Sequence, residues 1–308
     1  MHGVESSKLE DAWTLYWRSG NTSSCVDGEA DSAALRDSWH QFFARVKAGS
    51  TVLDLATGNG FVASTAAAVS RTHSLHLRIV GVDAAQISPA AIPEATFVSG
   101  VRMEALPFAN QSVDAVVSQF GFEYGAREKC AAEAARVLKP GGQLRFIVHA
   151  HAGAVHQAIS EQVARLEVVL KQDGVLTTLL SAAEAEADAA RRVDAALAAC
   201  WERSQSSLAG APDEDAAIYY ANGLTNLWRA RHRYAPNDVQ RSIDDAQRRA
   251  GGVLVRHKAL LQAACSRTDC NDIGVLLHAS GLTMREPSPI NDSDDQQIAW
   301  LVEGVKRD

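Results

Sequence analysis

Three groups of residues in this sequence have types and spacings suited to chemistry. The first is Val52-Leu53-Asp54-Leu55-Ala56-Thr57-Gly58-Asn59-Gly60, where a short apolar run meets a glycine turn. Glycine lets a ligand approach the backbone closely, and a helix starting there offers free N–H groups. Asp54, four positions before Gly58, places a carboxylate that can hold a cation such as an amino-acid ammonium. The bland alternative is a tight turn at Gly58 and Gly60, with Asp54 capping a loop. The second is Asp83, which closes Ile79-Val80-Gly81-Val82-Asp83. Ligands of open α/β sheets sit beyond the carboxyl ends of the strands, where an acid can accept hydrogen bonds from two ribose hydroxyls. The same residue could instead cap a short helix over Ala84-Ala85-Gln86. The third comprises His149, His151, Glu123 and Tyr124, candidates for a general base. A histidine there could equally face solvent or satisfy a local backbone group.

These residues need elements that bring them to one edge. Between 51 and 150 the sequence alternates strand and helix signals. Strands are expected at Thr51–Leu55, Leu77–Asp83, Thr96–Ser99, Val113–Ser118 and Gln143–Val148. An Ala-rich helix follows the glycine turn, and another runs from about Arg127 to Leu138, stopping at Lys139-Pro140-Gly141-Gly142. Such alternation implies a parallel sheet covered on both faces. After His151 the rhythm becomes helical. Val155, Ile159, Val163, Leu166 and Leu170 line one face, as do Val193, Leu197 and Trp201, and then Ile218, Ala221, Leu224 and Trp228. Pro236 opens a further helix, which Gly251-Gly252 is expected to break before Val253–Ala264 resumes the pattern. A helix over Ile273–Ala279 and strands at Leu282–Arg285 and Ile298–Lys306 close the chain. The expected architecture is a doubly wound, mostly parallel, seven-stranded α/β sheet with an all-helical insertion after strand five. Residues 1–50 form a helical flap or cap, 51–150 with 265–308 form the sheet domain, and 151–264 form the insertion.

Composition narrows the function. The chain has 308 residues, 46% hydrophobic and 22% charged, with a formal net charge of −7. A broad grip on nucleic acid needs clustered Lys and Arg, which this balance disfavours. The N-terminus lacks a signal-peptide core, and no stretch approaches the length of a membrane span, so a cytoplasmic protein is expected. The five cysteines, Cys25, Cys130, Cys200, Cys265 and Cys270, are odd in number and irregularly spaced, which argues against a disulfide framework. Cys265 and Cys270 lie near His257 and Asp269 without the spacing of a zinc site, and no metal is expected.

The downstream segments Met103-Glu104-Ala105-Leu106-Pro107-Phe108, Ser112-Val113-Asp114-Ala115-Val116-Val117-Ser118 and Arg136-Val137-Leu138-Lys139-Pro140-Gly141-Gly142-Gln143-Leu144 complete an ordered set. With that set the chain resembles class I S-adenosylmethionine-dependent methyltransferases, in particular those similar to the ubiquinone/menaquinone C-methyltransferases. The resemblance covers 51–150 and, more weakly, 270–308. It implies a Rossmann-like methyltransferase fold whose last strand enters antiparallel. It implies that Asp54, Ala56, Thr57, Gly58, Asn59 and Gly60 surround the methionine part of S-adenosylmethionine, and that Asp83 binds the ribose. Ala84, Met103 and Glu104 would flank the adenine. Gln119 and Phe120 would lie near the sulfonium, and S-adenosylhomocysteine would be the product. Two positions depart from the family: Ala56 stands where glycine is frequent, and Arg102 where an acid is frequent.

Gly58-Asn59-Gly60-Phe61-Val62-Ala63 also matches a dinucleotide fingerprint, so an NAD(P)-dependent oxidoreductase is the enzyme alternative. Asp54 inside the strand and the downstream segments favour the methyltransferase. A catalytically silent cofactor-binding protein is the third reading. Ser118-Gln119-Phe120-Gly121-Phe122-Glu123-Tyr124 lacks the Asn-Pro-Pro-Tyr-like run of nucleobase amino methylation, so an oxygen or carbon of a small-molecule acceptor is expected. The insertion's rings, Trp201, Tyr219, Tyr220, Trp228 and Tyr234, would line an acceptor pocket or form the insertion's own core; a homodimer interface is another use. Arg229, Arg231, His232 and Arg233 form a basic cluster. Tyr16 and Trp17 could fold over the cofactor.

Overall fold

The computed structural model describes residues 2–21, 29–171, 194–195, 198–199, 202 and 215–308. Helices α1 (His2–Arg18) and α2 (Glu29–Phe43) precede strand β1 (Thr51–Leu55) and helix α3 (Phe61–Thr72). Strands β2 (Arg78–Asp83), β3 (Ala95–Ser99) and β4 (Val113–Gln119) follow. A 3₁₀ turn at Phe122–Tyr124 and helix α4 (Arg127–Val137) lead into β5 (Leu138–His149). The later helices are α5 (Ala154–Leu170), α6 (Ala216–Arg229), α7 (Pro236–Ala263) and α8 (Arg267–Ala279). Strands β6 (Leu282–Met284), β7 (Ser288–Asn291) and β8 (Gln297–Lys306) end the chain.

The sheet order is β3-β2-β1-β4-β5-β8-β6, with β7 also pairing with β8. Strands β1 to β5 are parallel, and β8 runs antiparallel to β5, β6 and β7. This is a doubly wound, Rossmann-like α/β fold, and its order reverses between β1 and β4, which creates a crevice beyond their carboxyl ends. Central strands buried on both faces read as continuous apolar runs rather than alternation. Accordingly, Val52 to Leu55 are all buried in β1, and Ala115 to Ser118 in β4.

Four local readings of the sequence are corrected. The sheet has eight strands rather than seven, because the short Pro-containing segment Ser288–Asn291 pairs along the edge of β8. Gly251-Gly252 does not interrupt α7, which continues through both residues. Two glycines cost roughly 2 kcal/mol of helix propensity, an amount that packing along a 28-residue helix outweighs. Residues 84–86 form no helix, so Asp83 is no helix cap. Finally, β5 begins directly after α4, and Lys139–Gly142 belongs to the strand.

The chain divides into two compact units, Met1–Ala12 with Ala158–Lys258, and Trp13–Gln157 with Ala259–Asp308. The first has a helical core of its own, in which Leu166, Val169, Leu224, Trp228, Val239 and Ile243 are buried together. The second contains the sheet. Its main core joins Leu53 and Leu55 of β1, Phe146 and Val148 of β5, and Ile273 and Leu277 of α8. Among the described residues, no helix is long and apolar enough to cross a membrane.

One buried ion pair ties α2 to the antiparallel edge of the sheet. Arg145 on β5 is 4% exposed, and its Nε and Nη2 donate to Glu303 Oε1 on β8 at 2.8 and 2.5 Å. Its Nη1 donates to the Ser38 carbonyl at 2.6 Å, and its guanidinium lies 4.8 Å from the Phe42 ring. Burial pulls the Arg145 pKa down, and Glu303 opposes that shift. Removing one partner of such a pair leaves an uncompensated buried charge. Glu303→Ala is expected to lower unfolding free energy by about 3 kcal/mol in urea titrations. A loss under about 0.5 kcal/mol, the level of a surface pair, would contradict this assignment.

Candidate active site

The turn after β1 is built from residues in left-handed backbone. Ala56, Gly58 and Gly60 have φ of 52°, 52° and 87°, and Gly60 caps α3. Such angles are free for glycine but cost a residue with a Cβ roughly 1 kcal/mol, so Ala56 is strained. Its methyl group is accommodated by Gly121: a Cβ at 121 would lie 2.4 Å from Ala56 Cβ. The turn after β4 therefore packs directly against the turn after β1.

Two carboxylates meet at this turn. Asp83 Oδ2 accepts from the Gly58 amide at 2.9 Å, and Oδ1 from the Ala85 amide at 2.8 Å. Asp54 is 1% exposed, and its Oδ2 accepts from Thr57 Oγ1 at 2.6 Å. Asp54 Oδ1 is buried with no hydrogen-bond partner. Burial, opposed by the Thr57 hydroxyl and reinforced by the charge of Asp83, pushes the Asp54 pKa up to about 7. The Ala63 amide of α3 moderates the shift without closing a hydrogen bond to Oδ1. A buried carboxylate with one oxygen unpaired beneath a glycine turn fits an incoming ammonium group.

Asn59 does a different job. Its Nδ2 donates to the Trp17 and Asn21 carbonyls at 2.9 and 2.6 Å, and its Oδ1 accepts from the Ser88 amide at 3.0 Å. Ala84 is half-buried between Asp83 and Ala85. Met103 and Glu104 are half-buried against the loop after the 3₁₀ turn, where Glu104 Oε1 accepts from the Ala126 amide at 2.9 Å. The side chain of Gln119 is engaged by α2, its Oε1 accepting from Trp39 Nε1 at 2.7 Å. Phe120 is buried, has φ of 54°, and stacks on His149 with ring centroids 4.0 Å apart.

His149 and Glu123 are brought together, whereas His151 is not part of their group. Glu123 Oε1 lies 2.8 Å from His149 Nδ1 and accepts from the His149 amide at 3.0 Å. Both side chains are buried, at 1% and 0% exposure. Glu123 Oε2 is buried with no partner. Ser118 Oγ positions the turn that carries Glu123, accepting from the Phe122 amide and donating to the Leu55 carbonyl. His151 is exposed and lies beside His156, whose pKa is lowered by burial and by His151.

The sequence reading missed the pairing of Glu123 with His149 and the part played by Trp13. The four-residue spacing of Trp13 and Trp17 on one helix was the available signal. Their rings stack at 5.6 Å, and Trp13 also meets Tyr124 edge-on at 6.1 Å. Of the insertion's rings, Trp228 and Tyr220 pack in the helical unit's own core, Tyr219 and Tyr234 are exposed, and Trp201 lies outside the described residues. Arg231 of the basic cluster lies over the Trp228 ring at 4.2 Å. Cys130, Cys265 and Cys270 are buried free thiols, while Cys25 and Cys200 lie outside the described residues. Among the described residues no group could hold a metal ion.

Residues 53–146, from β1 to β5, match the family model described as a methyltransferase domain. That match spans less than a third of the chain. None of the curated proteins matches the chain significantly. Among solved structures, the 1,6-didemethyltoxoflavin-N1-methyltransferase of Burkholderia thailandensis is 11% identical, with 98% of this chain and 89% of that one covered and a TM-score of 0.48. A SAM-dependent methyltransferase from Aquifex aeolicus is 12% identical, covering 88% of this chain and 89% of its own, with a TM-score of 0.41.

The raised pKa of Asp54 has a definite sign. The folded state binds this proton more tightly than the unfolded chain, so folding stability falls as pH rises from about 4 through about 7. Asp54→Asn removes the ionisation. Ligand-free Asp54→Asn is expected to exceed the parent in stability at pH 8 by about 2–4 kcal/mol, with the difference shrinking towards pH 4. Urea titrations at several pH values measure this, and a gap independent of pH would contradict the assignment.

Proposed function

We propose that the chain transfers a methyl group from S-adenosylmethionine to an oxygen or carbon of a small-molecule acceptor, releasing S-adenosylhomocysteine. One observation carries this reading: a buried, unpartnered carboxylate oxygen on Asp54 lies under a glycine turn whose Gly58 amide is held by a second carboxylate, Asp83. The match of 53–146 to a methyltransferase domain supports it.

In this reading Asp54, Ala56, Thr57, Gly58, Asn59 and Gly60 hold the amino-acid end of the cofactor. Asp83 takes the ribose hydroxyls, and Ala84, Met103 and Glu104 border the base. Gln119 and Phe120 stand near the sulfur through their place at the carboxyl end of β4. When bound, the cofactor supplies a methyl group on a sulfonium, activated for in-line displacement. The protein's task is alignment, exclusion of water and, for an acceptor with an X–H bond, proton removal. Glu123 fixes the proton of His149 on Nδ1, which makes Nε2 the basic nitrogen. The helical insertion serves the acceptor as a lid or binding surface, or joins two copies, in a cytoplasmic setting without nucleic acid.

Calorimetry with S-adenosylhomocysteine and with NADH separates the methyltransferase from an NAD(P)-linked oxidoreductase. Binding of S-adenosylhomocysteine at micromolar concentrations and none of NADH is expected. Asp83→Ala should weaken S-adenosylhomocysteine about 100-fold in a protein with an unchanged circular dichroism spectrum, the loss of two hydrogen bonds to a charged acceptor. Undiminished uptake, or tight binding of NADH alone, contradicts the proposal. Once an acceptor panel yields turnover, His149→Ala is expected to lower kcat by 10²–10³-fold and leave S-adenosylhomocysteine affinity within about threefold. A catalytically silent protein would bind the ligand and turn over nothing.

A further inference from the structure

We propose that the segment Trp13–Asn21 is a self-occluding strap, in which Trp17 covers the face of the glycine turn that the cofactor's amino-acid end must occupy. This inference rests on the cofactor site proposed above and adds how that site is controlled. The contact is direct. A Cβ placed on Gly58 would lie 2.4 Å from Trp17 Cζ2 and 2.5 Å from Cη2, so the indole rests on the bare backbone of the turn. Trp17 is 7% exposed, which for so large a ring means that it fills the space rather than fringing it. A ligand lying against Gly58 and the indole cannot share that volume.

The strap is held by groups on both ligand loops. Asn59, in the loop after β1, donates to the Trp17 and Asn21 carbonyls. From the loop after β2, the Gln86 amide donates to Thr14 Oγ1 at 3.0 Å. Asn21 Nδ2 donates to the Tyr16 carbonyl at 2.9 Å and closes the segment's end. Stacking of Trp13 on Trp17, with Tyr16 edge-on to both, makes the aromatic side of the strap a single packed body. Trp13 continues this body to Tyr124, which meets His149 edge-on at 6.1 Å. The strap thus extends from the glycine turn to the buried Glu123–His149 pair. Lifting it breaks a few hydrogen bonds and one large apolar contact. The apparent affinity for any adenosyl ligand is then reduced by the fraction of molecules that are open.

Stopped-flow association of S-adenosylhomocysteine with the full chain tests this. The observed rate of the parent protein should reach a plateau as ligand is raised, because opening becomes limiting. Trp17→Ala should raise that plateau at least tenfold, or abolish it, and tighten the apparent Kd about tenfold. Thr14→Val removes only the clamp from Gln86 and leaves the aromatic packing, so it provides the answer if Trp17→Ala folds poorly. Its plateau should rise about threefold. Association linear in ligand and equal in the parent and Thr14→Val would overturn the strap while leaving the cofactor site intact. Absence of S-adenosylhomocysteine binding in parent and folded variants alike would overturn the site and the strap together.

Discussion

Two carboxylates, Asp54 and Asp83, converge on one glycine turn, and the cost of burying negative charge there shapes the ligand edge of the sheet. Each is less than one-tenth exposed. Asp83 is stabilised by backbone amides from two loops, one of them the turn itself. Asp54 accepts from the Thr57 hydroxyl through one oxygen only, and burial together with the charge of Asp83 raises its pKa. Natural cores rarely leave a carboxylate oxygen unpaired, because desolvation without a partner costs several kcal/mol. The free protein therefore carries a destabilising feature at this turn.

The same constraint accounts for the surroundings of the turn. A carboxylate kept from water needs a cover, and over the bare backbone of Gly58 the cover comes from elsewhere in the chain. Trp17 supplies it from the end of α1, and Asn59 holds the backbone of that segment. On the opposite side, Gly121 lets the turn after β4 close on Ala56, which brings Phe120 and Glu123 within one turn of the glycine loop. The Glu123–His149 pair thus occupies its place because β4 and β5 are neighbours in the sheet, with Phe146 opposite Ser118 and Ile147 opposite Gln119.

Much of this architecture was legible in the sequence because parallel strands buried on both faces announce themselves as apolar runs. The five parallel strands were readable from strand and helix alternation, the glycine turn from its residues, and the antiparallel last strand from the family resemblance. Elements whose signal depends on tertiary context were misread. Ser288–Asn291 has too few residues and a proline, so it becomes a strand only because the edge of β8 is open to it. Gly251-Gly252 resembles a break, yet α7 is held on both sides of it by packed residues such as Ile243, Ala250 and Leu260. Within the site, residue types were legible but partners were not. His149 and His151 looked equivalent by spacing. His149 is the last residue of β5, whose final six residues are all buried, while His151 lies past the strand end and is exposed.

Ala56 shows how a departure from a family pattern is absorbed. A methyl group at φ of 52° is unfavourable by itself, and glycine would adopt the conformation freely. Its neighbour at 121 lacks a side chain, and there a Cβ would overlap the Ala56 methyl. The strain at 56 and the vacancy at 121 are thus one feature seen from two loops. Together they couple the glycine turn to the turn bearing Phe120 and Glu123, because so close a contact leaves little room for one loop to shift without the other.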